Sequence, residues 1–280
     1  MFTDSQVNEI ASRVAEDGTT VRVLELKELK GSADPKLAEA LFFAQQAGMT
    51  LKFVEITLRD GSFQLEPGSL YFMKGNLQLS TGTNGGIARG LMRALLSAET
   101  FFINTVRGTG TIYLEPTFGH FLIHDIKEER QELVADRGIF RAGSGGLRVK
   151  AEAVRSLTGA VLGGEGLFQT RISGRGIAVM YSPVPAGELV IAKLENETMQ
   201  VDGDFALMRT APVSFSVEKS TKSLFGSAMS GEGFLNVYKG TGRVWLAPTQ
   251  GVYERIADAG LAALAQGGKS RNTGTETRGG

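Results

Sequence analysis

Apolar and polar positions divide the chain into an opening of mixed texture and a long stretch of strand texture. Val7, Ile10 and Val14 recur at helical intervals behind Asp4 or Ser5 as a cap, which predicts a helix over residues 4–16. VRVLELK, residues 21–27, alternates as a strand does. Asp34-Pro35 then forms an N-cap and first-turn pair, Leu37, Ala38, Leu41, Phe42 and Ala44 follow on one face, and Gly48 stands where a C′ glycine belongs. From residue 51 the texture becomes β. FVEITL, residues 53–58, puts Val54, Ile56 and Leu58 on one face, Asp60-Gly61 predicts a hairpin, and FQLEPGSLYFM continues the strands.

The pattern then repeats. LRDGSFQLEPGSLYFMKGNLQLS, from Leu58, and LENETMQVDGDFALMRTAPVSFS, from Leu194, match in hydrophobic pattern once one gap is allowed, pairing Gln64 with Gln200, Leu65 with Val201 and Met73 with Met208. ELVADRGIFRA, from Glu132, is a poorer middle copy. After each comes an acid, an apolar run, a Gly-x-Gly and an apolar strand ending in proline. The acids Glu99, Glu165 and Glu232 recur about every 66 residues, as do Gly108, Gly174 and Gly240, and the strands end at Pro116, Pro183 and Pro248. Gly-x-Gly between two apolar strands predicts a tight turn at three equivalent places.

These elements predict an all-β fold. Three internal β repeats would form a β-sandwich or double-stranded β-helix-like domain with approximate pseudo-threefold symmetry, plus short helices. The expected organisation is a mixed α/β extension over 1–50, a three-repeat β domain over 51–254, and a short helix and flexible tail over 255–280. Within that last segment RIADAGLAALAQ is the helical part, and GGKSRNTGTETRGG lacks apolar residues.

Composition narrows the function more than it defines it. Thirty basic residues balance thirty acidic ones, so the chain lacks the basic excess that neutralises phosphates, and nucleic acid is not expected as a partner. Zero net charge favours self-association. The absence of cysteine excludes thiol nucleophiles, disulfides and thiolate metal sites. No apolar run approaches the ~20 residues of a membrane span, and the first residues lack a signal-peptide core, so a cytoplasmic location is expected.

The phrases GGEGLFQTRISGRG and SGEGFLNVYKGTGRVWLAP, with LEPGSLYFM upstream, resemble the altered inheritance of mitochondria protein twenty-four family over about residues 51–254. The resemblance implies a β-sandwich related to the tryptophan RNA-binding attenuator protein fold, of double-stranded β-helix type. It also implies a family whose mitochondrial members are associated with inner-membrane organisation. It supplies no catalytic residue. The first phrase departs from it, with Ala98-Glu99-Thr100 where the others have Gly-Glu-Gly.

Each candidate for chemistry has a plainer reading that is preferred here. His120 and His124, the two histidines, share a strand face but lack the third ligand and the spacing of a cupin metal site, so they read as edge-strand residues. The recurring glutamates could meet on an axis and bind a cation, yet a repeated turn contact accounts for them. The glycine clusters at 82–86 and 143–146 precede no Lys-Ser/Thr and read as linkers. Residues 85–96, with Arg89 and Arg93, form a short amphipathic pattern that would contact a membrane surface only weakly. Trp245 reads as a core or interface anchor. The expectation is a non-enzymatic, homo-oligomeric scaffold or protein-interaction protein with no catalytic, cofactor or metal site and with protein partners not specified. The alternative is a small-ligand or membrane-surface binder.

Overall fold

The structure is a computed structural model that describes residues 2–30, 34–82, 103–153, 155–156, 168–219 and 234–259. Its elements run β1 (Val7–Val14), β2 (Thr20–Leu26), α1 (Pro35–Gln46), β3 (Lys52–Leu65), β4 (Leu70–Gly82), β5 (Ile103–Leu114), β6 (His120–Ile126), β7 (Leu133–Ala135), β8 (Phe140–Ser144) and β9 (Leu147–Ala153). They continue as β10 (Arg155–Ser156), β11 (Phe168–Gly174), β12 (Gly176–Ser182), β13 (Val190–Val201), β14 (Ala206–Thr210), β15 (Ser214–Lys219), β16 (Phe234–Leu246) and α2 (Gln250–Ala259). The fold is all-β, as the strand texture predicts.

Two sheets carry these strands. The first runs β1-β2-β3-β8-β12-β6, with β5 on β3 and β4 on the far side of β5. The second runs β10-β15-β16-β14-β7-β11-β9, with β13 on β16. Phe63, Leu65, Val106, Ile112 and Val179 belong to one buried cluster, and Phe140, Leu147, Ile172, Met180 and Trp245 to another. Each such side chain contributes roughly 1.5–3 kcal/mol on burial.

Residues 4–16 do not form the expected helix. They contain β1, which pairs antiparallel with β2 from Val7↔Leu26 to Val14↔Thr20. The reason is a register irregularity between Glu9 and Ala11. The extra residue shifts the two-residue period, so Val7 and Val14, seven apart as on one face of a helix, share a strand face opposite Leu26 and Thr20, while Ala11 lies on the other face opposite Val23 and packs on the core. Ile10 and Val14, which the helical reading placed inward, are exposed. β2 then pairs with β3, and Val21 and Val23 join the same core as Val54 and Ile56.

Asp60-Gly61 is not a hairpin either. β3 runs unbroken through it, with a bulge against β5 between Leu58 and Gly61 and Asp60 at φ 54°. The Asp60 amide donates to Thr109 Oγ1 at 2.9 Å. β13 repeats this geometry: Asn196 has φ 57° and its amide donates to Thr241 Oγ1 at 3.0 Å. The chain reverses later, at Glu66–Ser69, where the Ser69 amide donates to the Glu66 carbonyl.

The Gly-x-Gly positions make no tight turns. Gly108 and Gly110 lie inside β5, and Gly240 and Gly242 inside β16. Only the middle phrase breaks, where Gly174 ends β11 in one sheet and Gly176 begins β12 in the other. The glycines serve close approach: a Cβ on Gly108 would lie 2.1 Å from the Asn76 carbonyl oxygen.

The first and third phrases share further detail. Phe72 faces Tyr113 and Met208 faces Trp245, each beside a bulge. That register replaces the sequence pairing of Met73 with Met208. The middle stretch, which begins just after the 3₁₀ turn Glu129–Gln131, is divided between the sheets, so the pairing does not establish the expected pseudo-threefold arrangement. Near the C-terminus the helix starts earlier than expected, at Gln250. Thr249 and Tyr253 donate their hydroxyls to Glu188, at 2.5 and 2.8 Å. Residues 260–280 lie outside the described set.

Candidate functional site

The recurring glutamates Glu99, Glu165 and Glu232 and the 85–96 helix all lie outside the described residues, as does most of the 82–86 glycine cluster. The 143–146 cluster is the end of β8 and its turn into β9, where the Gly145 amide donates to the Ser62 carbonyl. His120 and His124 lie on β6, which ends the first sheet, as edge-strand residues do. His124 is packed edge-on against Trp245 at 5.5 Å, and burial pushes its imidazole down to about 4, with Asp125 opposing the shift. Burial, and then the neighbouring Lys52, also lower His120. Trp245 is buried in the core between the sheets.

A stronger surface feature is the edge formed by β4. Among the described residues β4 pairs only with β5, from Leu70↔Leu114 to Gly82↔Ile103, so its other flank presents unpaired backbone groups. Tyr71, Phe72 and Leu79 are exposed along it, and Lys74 is its one charged residue. β13, the other long outer strand, carries Lys193, Glu195 and Glu197.

The β4 edge is held from behind. Phe72 stacks on Tyr113 at 4.4 Å. The Tyr113 hydroxyl donates a very short hydrogen bond to the buried Glu55 carboxylate. Arg22 Nη2 donates to Glu55 at 2.6 Å and Nη1 to Glu9 at 3.3 Å. Burial, reinforced by Glu55, holds the Tyr113 phenol far above its ordinary range and therefore protonated. A second network joins Arg171 to Glu132 and Glu152, and Glu152 to the buried Arg209, at 3.0–3.1 Å.

The family model described as Mitochondrial biogenesis AIM24 matches residues 44–249. The chain belongs to this family. The match spans β3 to β16, and so includes the whole β4 edge of this AIM24-family chain. A comparison with curated proteins gave no match. Among solved structures, the crystal structure of a structural-genomics target protein from Streptococcus pyogenes is similar in fold. The likeness has a TM-score of 0.53 and 22% identity, and it covers 74% of this chain and 94% of that one. No helix among the described residues is long and apolar enough to cross a membrane.

Sequence reading missed the β4 edge because LYFMKGNLQLSTG resembles any half-buried strand. Its charge-poor composition was visible, but its place outside β5 is a property of topology.

Proposed function

We propose that this AIM24-family protein is a non-enzymatic, oligomeric scaffold whose subunits join through the β4 edge. The carrying observation is a thirteen-residue outer strand with exposed Tyr71, Phe72 and Leu79 and a single charge. Edge strands of monomers are usually blunted by charge, proline or distortion. The natural occupant is a second copy, because an antiparallel edge is its own complement. A twofold axis at the strand midpoint, Asn76, sets Lys74 opposite Gln78, Met73 opposite Leu79 and Gly75 opposite Leu77 of the other copy. No like charges then meet, and an apolar row becomes continuous.

The test is sedimentation velocity over a micromolar dilution series. The wild type should form a discrete oligomer. Gln78→Lys places like charges opposite one another twice, and each such pair costs about 0.2–1 kcal/mol, so dissociation should strengthen roughly 2- to 30-fold. Gln78 also faces Arg107 of β5 within its own subunit. Lys74→Glu in the Gln78→Lys background separates the two effects: it restores the intersubunit pair and leaves the Arg107 contact unchanged. A strictly monomeric wild type, or variants that all dissociate alike, would refute the proposal.

A second reading, membrane-surface binding, is favoured by α1, where Leu37, Phe42 and Phe43 are exposed on one short helix. Co-sedimentation with anionic vesicles tests it; no pelleting of the wild type at low salt would remove it.

A further inference from the structure

A cleft of about 450 Å³ lies where β6 of the first sheet meets β7, β14 and β16 of the second. Its lining includes His124, Arg130, Gln131, Thr210, Thr241 and Arg243. The hydrogen-bond inventory of these groups is lopsided. The Thr210 hydroxyl accepts from the Arg243 amide at 2.9 Å, and the Thr241 hydroxyl accepts from the Asn196 amide at 3.0 Å. Gln131 Oε1 accepts from the Lys127 and Glu128 amides at 2.8 and 3.2 Å. In each case protein backbone occupies the acceptor and leaves the donor, either a hydroxyl hydrogen or the Gln131 amide hydrogens. His124 Nε2 is buried with no partner.

Charge points the same way. Asp125, the cleft's carboxylate, is engaged by Arg13 at 3.4 Å, and Arg130 is engaged by Glu128 at 2.5 Å. Arg243 has no ion pair among the described residues, so its guanidinium is the uncompensated charge of the cleft. Lys193, opposite it in register, is held by Glu195 at 2.6 Å. The wall is also shaped for approach: a Cβ on Gly242 would stand 2.1 Å from Thr210 Oγ1, so only glycine lets that hydroxyl sit there.

We infer that this cleft binds an oxyanion of the phosphate class, with Arg243 as its charge partner and Thr210, Thr241 and Gln131 as neutral donors. A ligand rich in acceptors satisfies donors that the fold leaves free, and a planar guanidinium suits phosphate oxygens. The volume accommodates a small phosphorylated molecule rather than the ion alone. The inference is independent of the β4 edge.

The experiment is calorimetric titration of the full chain with inorganic pyrophosphate at low salt, with chloride at equal ionic strength as control. The wild type should bind with micromolar to millimolar affinity, Arg243→Gln should lose at least 10-fold, and Arg243→Lys should keep part of the affinity. Arg243 is exposed, so the variants should fold; an unchanged thermal midpoint confirms it. Thr241→Val gives a second, uncharged test and should weaken binding several-fold. A parallel arm uses phosphatidic acid vesicles. Arg243-dependent binding to vesicles without pyrophosphate binding would assign the same site to a lipid headgroup phosphate. Absence of binding in both arms, or binding that Arg243→Gln leaves intact, overturns the inference.

Discussion

Replacing Gly108 by alanine tests whether the Gly-x-Gly phrase serves close strand approach. In β5 this residue has φ 125° and lies opposite Leu77. An added Cβ would stand 2.1 Å from the Asn76 carbonyl oxygen, 3.2 Å from its carbon and 3.4 Å from Leu77 Cα. Both partners are backbone, so relief requires β4 and β5 to part by more than 1 Å or a peptide to rotate. The unfavourable φ costs about 1–3 kcal/mol, and overpacking adds about 1–3 kcal/mol. The less flexible unfolded chain offsets about 0.4–1 kcal/mol. The net loss is about 1–6 kcal/mol, set against the roughly 5–15 kcal/mol that holds a domain. Gly68→Ala is the control. It has φ 83° but nothing within 4 Å of an added Cβ, so only the left-handed conformation is charged against it, about 1 kcal/mol. Urea unfolding, followed through the single tryptophan at one protein concentration, reports both. Equal losses for the two variants, or a Gly108→Ala midpoint within about 0.5 kcal/mol of wild type, would refute the reasoning.

Two other perturbations follow from the buried charges. The His124 imidazole falls from 6.5 to about 4 in the folded protein, so between those values the unfolded chain binds the extra proton. Its contribution therefore lowers stability as pH drops from about 6.5 toward 4, by about 2–3 kcal/mol at pH 4.5. His124→Gln should flatten the urea-midpoint difference between pH 7 and 4.5 by that amount; an unchanged difference counts against it. Tyr113→Phe removes one hydrogen bond but leaves Glu55 paired with Arg22, costing about 1 kcal/mol. Glu55→Leu takes the acceptor from the Tyr113 hydroxyl and leaves Arg22 with Glu9 alone, and should cost about 2–3 kcal/mol by thermal unfolding. Equal costs would show that the two contacts do not act through Glu55.

The helix at Pro35–Gln46 was legible because its signals are local: Asp34-Pro35 at one end and Gly48 at the other. β1 was not, because a bulge at Ile10 converts a strand period into a helical one. Asp60-Gly61 misled for a related reason, since a left-handed residue followed by glycine suits a bulge as well as a turn. The histidines were correctly placed on an edge strand, but the cleft beside His124 could not be read. Its lining gathers residues from 124 to 245, whose only connection is the meeting of the two sheets.

The shared geometry of β3 and β13 gives the N-terminal hairpin a physical role. Both strands bulge at a left-handed residue whose amide bonds a threonine of the glycine-bearing strand. They differ in what covers them. β13 is an outer strand, and it carries Lys193, Glu195 and Glu197. β3 is covered by β2, from Thr20↔Thr57 to Glu25↔Lys52, and there it can hold Val54 and Ile56 in the core. The opening of the chain therefore closes an edge that the related strand protects with charge. Among the described residues that leaves β4, with no covering strand and Lys74 as its one charge, as the long edge least protected, which is what a permanent contact between subunits would produce.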